Sequence, residues 1–173
     1  GRRVIMGAFR IYTIFLERFC ACRFDLAAID NLRDQGALVI VANHPSLLDV
    51  VMIVSRLPNA VCVMKAQLMD NILFGAAARL ARYIRNDSAL EMVRDARMEL
   101  QRGAQLVIFP EGTRTHDGAV AALKPGFCLL ARRSDVWLLP VAIDGAFQSW
   151  PRSSILPRLT EVHVVVGDPI SPE

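Results

Sequence analysis

The sequence predicts an α/β fold built on a largely parallel sheet, and three observations carry that prediction. Five short apolar runs have the length of strands, and helical patterns lie between most of them. The chain has 173 residues, enough for one hydrophobic core and too few for two comfortable ones. The expected architecture is therefore a single domain over residues 1–173. It is α/β, with a mostly parallel mixed sheet flanked by helices and an apolar, interfacial helix at the N-terminus. The core that bears the motifs runs over 37–145.

The first element is a helix within "VIMGAFRIYTIFLERFCACRF". Only six residues separate Arg10 from Glu17, so the stretch cannot span a bilayer. Two readings stand: an apolar helix packed on the domain, or an interfacial helix over residues 1–22. In the second, Phe9, Ile11, Phe15, Leu16 and Phe19 meet lipid, while Arg2, Arg3, Arg10 and Arg18 meet head-group phosphates. The run "ALVIVA" (37–42) is apolar without alternation, as a central strand covered on both faces would be. "NAVCVM" (59–64), "QLVIFP" (105–110), "WLLPVAI" (137–143) and "TEVHVVV" (160–166) supply four more strands. Pro45 disfavours helix at His44 and suits a first helical position, predicting a helix over 45–56. Another helix follows Ser88, where Ser88 and Glu91 form a capping box, Glu91 and Arg94 can pair, and Gly103 ends it.

Hydrophobic residues make up 53% of the chain and the mean hydropathy is +0.34, which suits a well-filled core or a surface that touches lipid. Twenty basic against seventeen acidic residues leave a net charge of +3. That excess argues against a nucleic-acid partner and fits a weak attraction to anionic lipid. Cys20, Cys22, Cys62 and Cys128 lack zinc-ligand spacing. Cys62 and Cys128 sit in apolar runs and read as buried, reduced thiols, favouring a reducing compartment. The first residue is Gly1, so the natural start is expected to be missing or trimmed.

In parallel sheets, ligands bind at the carboxyl ends of the strands. Two polar, turn-rich stretches fall there: "NHPSLLD" after the first strand and "PEGTRTHDG" after the third. His44 and Asp49 are five residues apart, wrong for two positions on one helical face but reasonable if His44 stands outside the helix that carries Asp49. A carboxylate on one imidazole nitrogen fixes the tautomer and leaves the other nitrogen to accept a proton. This is the machinery of a general base. No G-x-S-x-G elbow and no neighbouring cysteine provides a nucleophile, so a substrate hydroxyl or water would attack. Two other readings remain: His44 as a cap with Asp49 a surface residue near the positive helix end, or a metal site, for which His116 and His163 offer no ligand spacing.

In "FPEGTRT" (109–115), Gly112 permits close approach or positive φ, and Arg114 suits a phosphate through two parallel hydrogen bonds. Glu111 could orient that arginine or bind a substrate hydroxyl. The stretch could equally be a salt-bridged turn.

Together the two loops resemble the glycerolipid (lysophospholipid) acyltransferases, the family that includes 1-acylglycerol-3-phosphate O-acyltransferases. The resemblance rests on N-H-x-x-x-x-D at Asn43, His44 and Asp49, and on F-P-E-G-T-R-S at 109–115 with Thr115 in place of serine. "RYIRND" is similar to the intervening block through Tyr83, Ile84 and Arg85, although the usual glycine is displaced. "LLPVAI" around Pro140 and "LKPGF" with Lys124 and Gly126 resemble later blocks.

The resemblance implies acyl transfer from acyl-CoA or acyl carrier protein to the free hydroxyl of a lysolipid, first of all 1-acylglycerol-3-phosphate. It implies His44 as base and Asp49 as orienting partner. Arg85, Glu111, Gly112, Thr113, Arg114 and Lys124 would bind substrate. No metal and no bound organic cofactor is implied; the thioester is a co-substrate. Partners would be the lysolipid and a membrane surface, with no nucleic acid. The implied location is the cytoplasmic face of a membrane, peripheral or monotopic, in a bacterial inner membrane. Alternatives are the same chemistry on an ornithine lipid, a glycolipid or a polyene lipid, a thioester hydrolase, or a non-catalytic lipid-binding module.

Overall fold

The computed structural model describes residues 1–20, 22–151, 154 and 156–172, without the side chains of 73 and 74. Ala21, within the expected interface segment, and Glu173, the end of the expected domain, lie outside the described residues. In chain order the elements are α1 (Arg2–Phe19), β1 (Arg23–Asp25), α2 (Ala27–Asp30), β2 (Leu38–Ala42) and α3 (Leu48–Arg56). Then come β3 (Ala60–Met64), α4 (Ala66–Met69), α5 (Ile72–Ala81), β4 (Ile84–Arg85) and α6 (Ala89–Gln101). The chain closes with β5 (Gln105–Ile108), α7 (Gly126–Ser134), β6 (Leu138–Asp144), α8 (Ala146–Ser149) and β7 (Glu161–Val166).

The strands form one seven-stranded sheet in the order β1-β7-β6-β2-β5-β3-β4. Every pairing is parallel except β6 with β7, so the sheet is mixed as the sequence predicts. All five residues of β2 are buried, which accounts for its unbroken apolar run. β7 alternates exposed and buried residues because one of its faces meets solvent. Leu38 to Val41 of β2 stand opposite Gln105 to Ile108 of β5, so the loops after these neighbouring strands leave the sheet side by side.

Two strands, β1 and β4, were not foreseen. The Ser88 side chain caps α6 by accepting the Glu91 N–H, and Gly103, at φ +79°, follows its end. Arg94 pairs with Asp95 at 3.0 Å, and no Arg94–Glu91 pair forms among the described residues. Cys62 is buried as expected, but Cys128 lies on the exposed side of α7.

Helix α1 packs one face on the domain and leaves the opposite face exposed. Ile5 and Leu16 are buried where the helix packs along α3, so Leu16 faces the protein and not lipid. Val4, Ile11, Phe15 and Phe19 recur on the outer face, and Ile11 and Phe19 are 70% and 74% exposed. Arg2 is withdrawn from any head-group role: its guanidinium bonds Glu99, Asn59 and the Ala81 carbonyl. No helix among the described residues is long and apolar enough to cross a membrane.

Candidate active site

The predicted helix at 45–56 starts only at Leu48. The reason is Asp49, whose Oδ2 accepts the Ser46 N–H at 2.7 Å and holds the preceding residues in a bend. The Ser46 hydroxyl secures the bend by donating to the Trp150 carbonyl and accepting the Leu48 N–H. Asp49 therefore sits in the first turn of α3, where the helix dipole favours a negative charge.

His44 stands outside that helix with its Nδ1 2.8 Å from Asp49 Oδ2. The five-residue gap is bridged as expected. The imidazole also stacks on Phe109, with ring centroids 4.2 Å apart and 25° between planes. Nδ1 donates to the carboxylate, which leaves the Nε2 lone pair; Nε2 has no partner among the described residues, and the side chain is 18% exposed. The Asp49 side chain is wholly buried and its Oδ1 lacks a hydrogen-bond partner. Burial pushes its carboxyl up to about 6, opposed by the hydrogen bond and charge of His44, the Ser46 N–H and the positive charge of Arg114.

Glu111 has a different place from the one expected. Its buried carboxylate accepts the His44 N–H at Oε1 (2.7 Å) and the Ala121 N–H at Oε2 (2.9 Å). It forms no ion pair with Arg114 among the described residues and joins three stretches of main chain. The Thr115 N–H donates to the His44 carbonyl at 3.0 Å, so the second loop grips the His44 backbone on both sides. Asn43 completes the frame by pairing its amide with the N–H and C=O of Ile143, extending the contact of β2 with β6. Sequence reasoning missed the positioning roles of Asn43, Phe109 and Thr115. All three belong to the recognised motifs, but their partners are distant in the chain.

Gly112 adopts φ +73°, and a Cβ there would lie 2.7 Å from Lys124 Nζ. The positive φ favours glycine, and a side chain there would also have to displace the flexible end of Lys124. Lys124 is thereby brought to the turn that carries Thr113 and Arg114. Arg114 and Lys124 form no ion pair among the described residues, and the N–H groups of Thr113 and Arg114 make no hydrogen bond among them. Two cations and two main-chain donors thus surround the glycine turn beside His44.

Arg85 is the exception. It lies at the end of edge strand β4, where Asp70 (2.8 Å) and Asp87 (2.9 Å) engage its guanidinium. Both ion pairs are solvent-exposed, so a substrate phosphate at Arg85 would compete with these two carboxylates. No three metal-ligating side chains converge among the described residues. The cleft lined by Leu90, Val93, Arg97, Met98 and Leu130 shares no residue with this constellation.

The Acyltransferase family profile matches residues 23–144, which include both loops. A 1-acyl-sn-glycerol-3-phosphate acyltransferase of Cocos nucifera is 30% identical over 139 residues, covering 76% of this chain and 45% of that protein. The protein of the same name from Pseudomonas aeruginosa is 26% identical, covering 90% of this chain and 63% of its own length. The chain spans about half the length of several such relatives. The crystal structure of the 1-acyl-sn-glycerophosphate acyltransferase PlsC from Thermotoga maritima superposes with a TM-score of 0.78 at 24% identity, covering 99% of this chain and 70% of that one. That likeness bears out the α/β fold with its largely parallel sheet.

Proposed function

We propose that this chain, which belongs to the acyltransferase family, moves a fatty acyl group from a thioester to the free hydroxyl of a lysophospholipid, 1-acylglycerol-3-phosphate first among them. The observation that carries the reading is the His44–Asp49 pair, whose Nε2 has no partner among the described residues, with Arg114 close enough for its charge to act on Asp49. Nε2 takes the acceptor's hydroxyl proton as that oxygen attacks the thioester carbonyl. The C–O bond forms, the C–S bond breaks, and the imidazolium returns the proton to the departing thiolate. Asp49 holds the ring and stabilises its charged form.

No acyl-enzyme is required, and the state of Cys62 fits that account. Cys62 is fully buried and burial pushes its thiol up to about 12, unsuited to nucleophilic attack. The unbonded N–H groups of Thr113 and Arg114 are suited to the thioester oxyanion or to phosphate. The test is thiol release from acyl-CoA and from acyl carrier protein, with and without lysophosphatidate, and with product identification. Acceptor-dependent release with phosphatidate formed supports the reading; equal release without acceptor marks a thioester hydrolase.

Arg114 is assigned to the acceptor's phosphate. Arg114→Ala is expected to raise KM for lysophosphatidate by roughly tenfold or more, the loss of a charge-assisted contact of about 1.5–3 kcal/mol. The same change removes a positive charge that lowers the Asp49 pKa, so the acid limb of the kcat/KM profile should move to higher pH. A fall in kcat with KM unchanged would reassign Arg114 to the transition state.

We assign the outer face of α1 to a membrane surface, with Arg3, Arg10 and Arg18 at head-group level. Because the inner face packs on α3, point changes are a cleaner test than deletion. Ile11→Asp with Phe15→Asp should weaken flotation with anionic liposomes while circular dichroism stays unchanged. Undiminished flotation would remove α1 from the contact.

A further inference from the structure

Large apolar side chains stand exposed in the connections after three strands, all at the site-bearing edge of the sheet. Leu47 follows β2 at 54% exposure, Leu68 and Ile72 follow β3, and Val120 (60%) and Leu123 (50%) follow β5. Because β2, β3 and β5 are mutually parallel, their carboxyl ends share that edge. The segment after β5 is the most continuous: "AVAAL", residues 119–123, is exposed throughout.

This segment is fastened. The Ala119 N–H donates to Asp117 Oδ1 (3.0 Å), Ala121 to Glu111 Oε2 (2.9 Å), and Lys124 to the Pro110 carbonyl (3.0 Å). Its main chain is held while its apolar side chains meet water, an arrangement that marks an interaction surface. The cations Arg114 and Lys124 lie at its base. Apolar tips above cations match a bilayer, whose hydrocarbon lies beneath a layer of phosphates.

We propose that segment 119–123, with Leu47, inserts into an anionic phospholipid bilayer as a second lipid contact, separate from α1. This rests on the acyl-transfer reading for its purpose, since the acceptor resides in the membrane. The contact is wired to the base: Ala121 N–H meets one oxygen of Glu111 and the His44 N–H meets the other. Seating the segment in lipid thus places His44 at the depth where a lysolipid hydroxyl emerges.

The test begins with Val120→Trp on vesicles of phosphatidylglycerol and phosphatidylcholine carrying brominated acyl chains. Quenching should exceed that of the parent, whose tryptophans are Trp137 and Trp150. Val120→Asp with Leu123→Asp should raise KM for a vesicle-borne acceptor by roughly tenfold or more. With a short-chain, water-soluble acceptor, kcat/KM should stay within about twofold of the parent. Val120→Ser with Leu123→Ser gives a milder pair if the aspartates disturb folding. No added quenching would overturn the proposal, and so would an equal loss on both acceptors, which would give the segment to the chemistry itself. Failure of every acceptor to be acylated would strike the acyl-transfer reading alone, because the quenching needs no turnover.

Discussion

Replacing His44 by alanine is expected to lower kcat by roughly 10²–10⁴-fold while the protein keeps its fold. The fold should survive because the main chain supplies the clamp: the His44 N–H to Glu111 and its carbonyl to Thr115 remain in the variant. What disappears is the ring that spans from Asp49 to the exposed side, with its stack on Phe109. Asp49 then loses its His44 partner and keeps the Ser46 N–H and the charge of Arg114, so its carboxyl should rise further. Steady-state kinetics beside thermal unfolding check both halves. A folded variant with near-parental kcat would remove His44 from the chemistry.

Asp49→Asn should separate activity from stability. An amide cannot stabilise imidazolium, so kcat is expected to fall by a comparable roughly 10²–10⁴-fold. In the parent, kcat/KM should decline as pH drops through about 6, where the Asp49 carboxyl takes up a proton. Stability runs the opposite way. The folded carboxyl titrates near 6 and the unfolded one near its ordinary value of 3.8, so between these pH values the native state binds more protons. Parental stability therefore falls as pH rises from about 4 to 6, by a buried-charge penalty on the order of 3 kcal/mol. The asparagine variant lacks this slope. Urea unfolding at pH 4, 6 and 7.5 should show it gaining on the parent over that window. Parallel profiles for the two proteins would mean that Asp49 is not held as a buried, strained carboxylate.

The sequence announced what burial and local geometry dictate. Strands β2 and β5 are covered on both faces, which forces continuous apolar runs, and the cap at Ser88 lies within one turn. β1 and β4, of three and two residues, are too short to carry a period and exist through pairing with β7 and β3. The start of α3 was misplaced because Asp49 draws the Ser46 N–H out of the helix, a choice no propensity records. The residue types of the site were legible, but the role of Glu111 was not, since its first partner lies 67 residues away. For Arg85, the sequence already showed a local ion-pair partner in Asp87, two residues on.

The central claim is that His44 and Asp49 activate the acceptor's hydroxyl directly. A rapid-quench experiment with enzyme in excess over radiolabelled acyl thioester, followed by intact-mass analysis of the protein, tests it most directly. Without lysophosphatidate, the account predicts no burst of thiol and a protein of unchanged mass; with it, label passes straight into phosphatidate in one phase. A stoichiometric thiol burst without acceptor, with the protein heavier by one acyl group, would contradict the account and place a covalent intermediate on the enzyme.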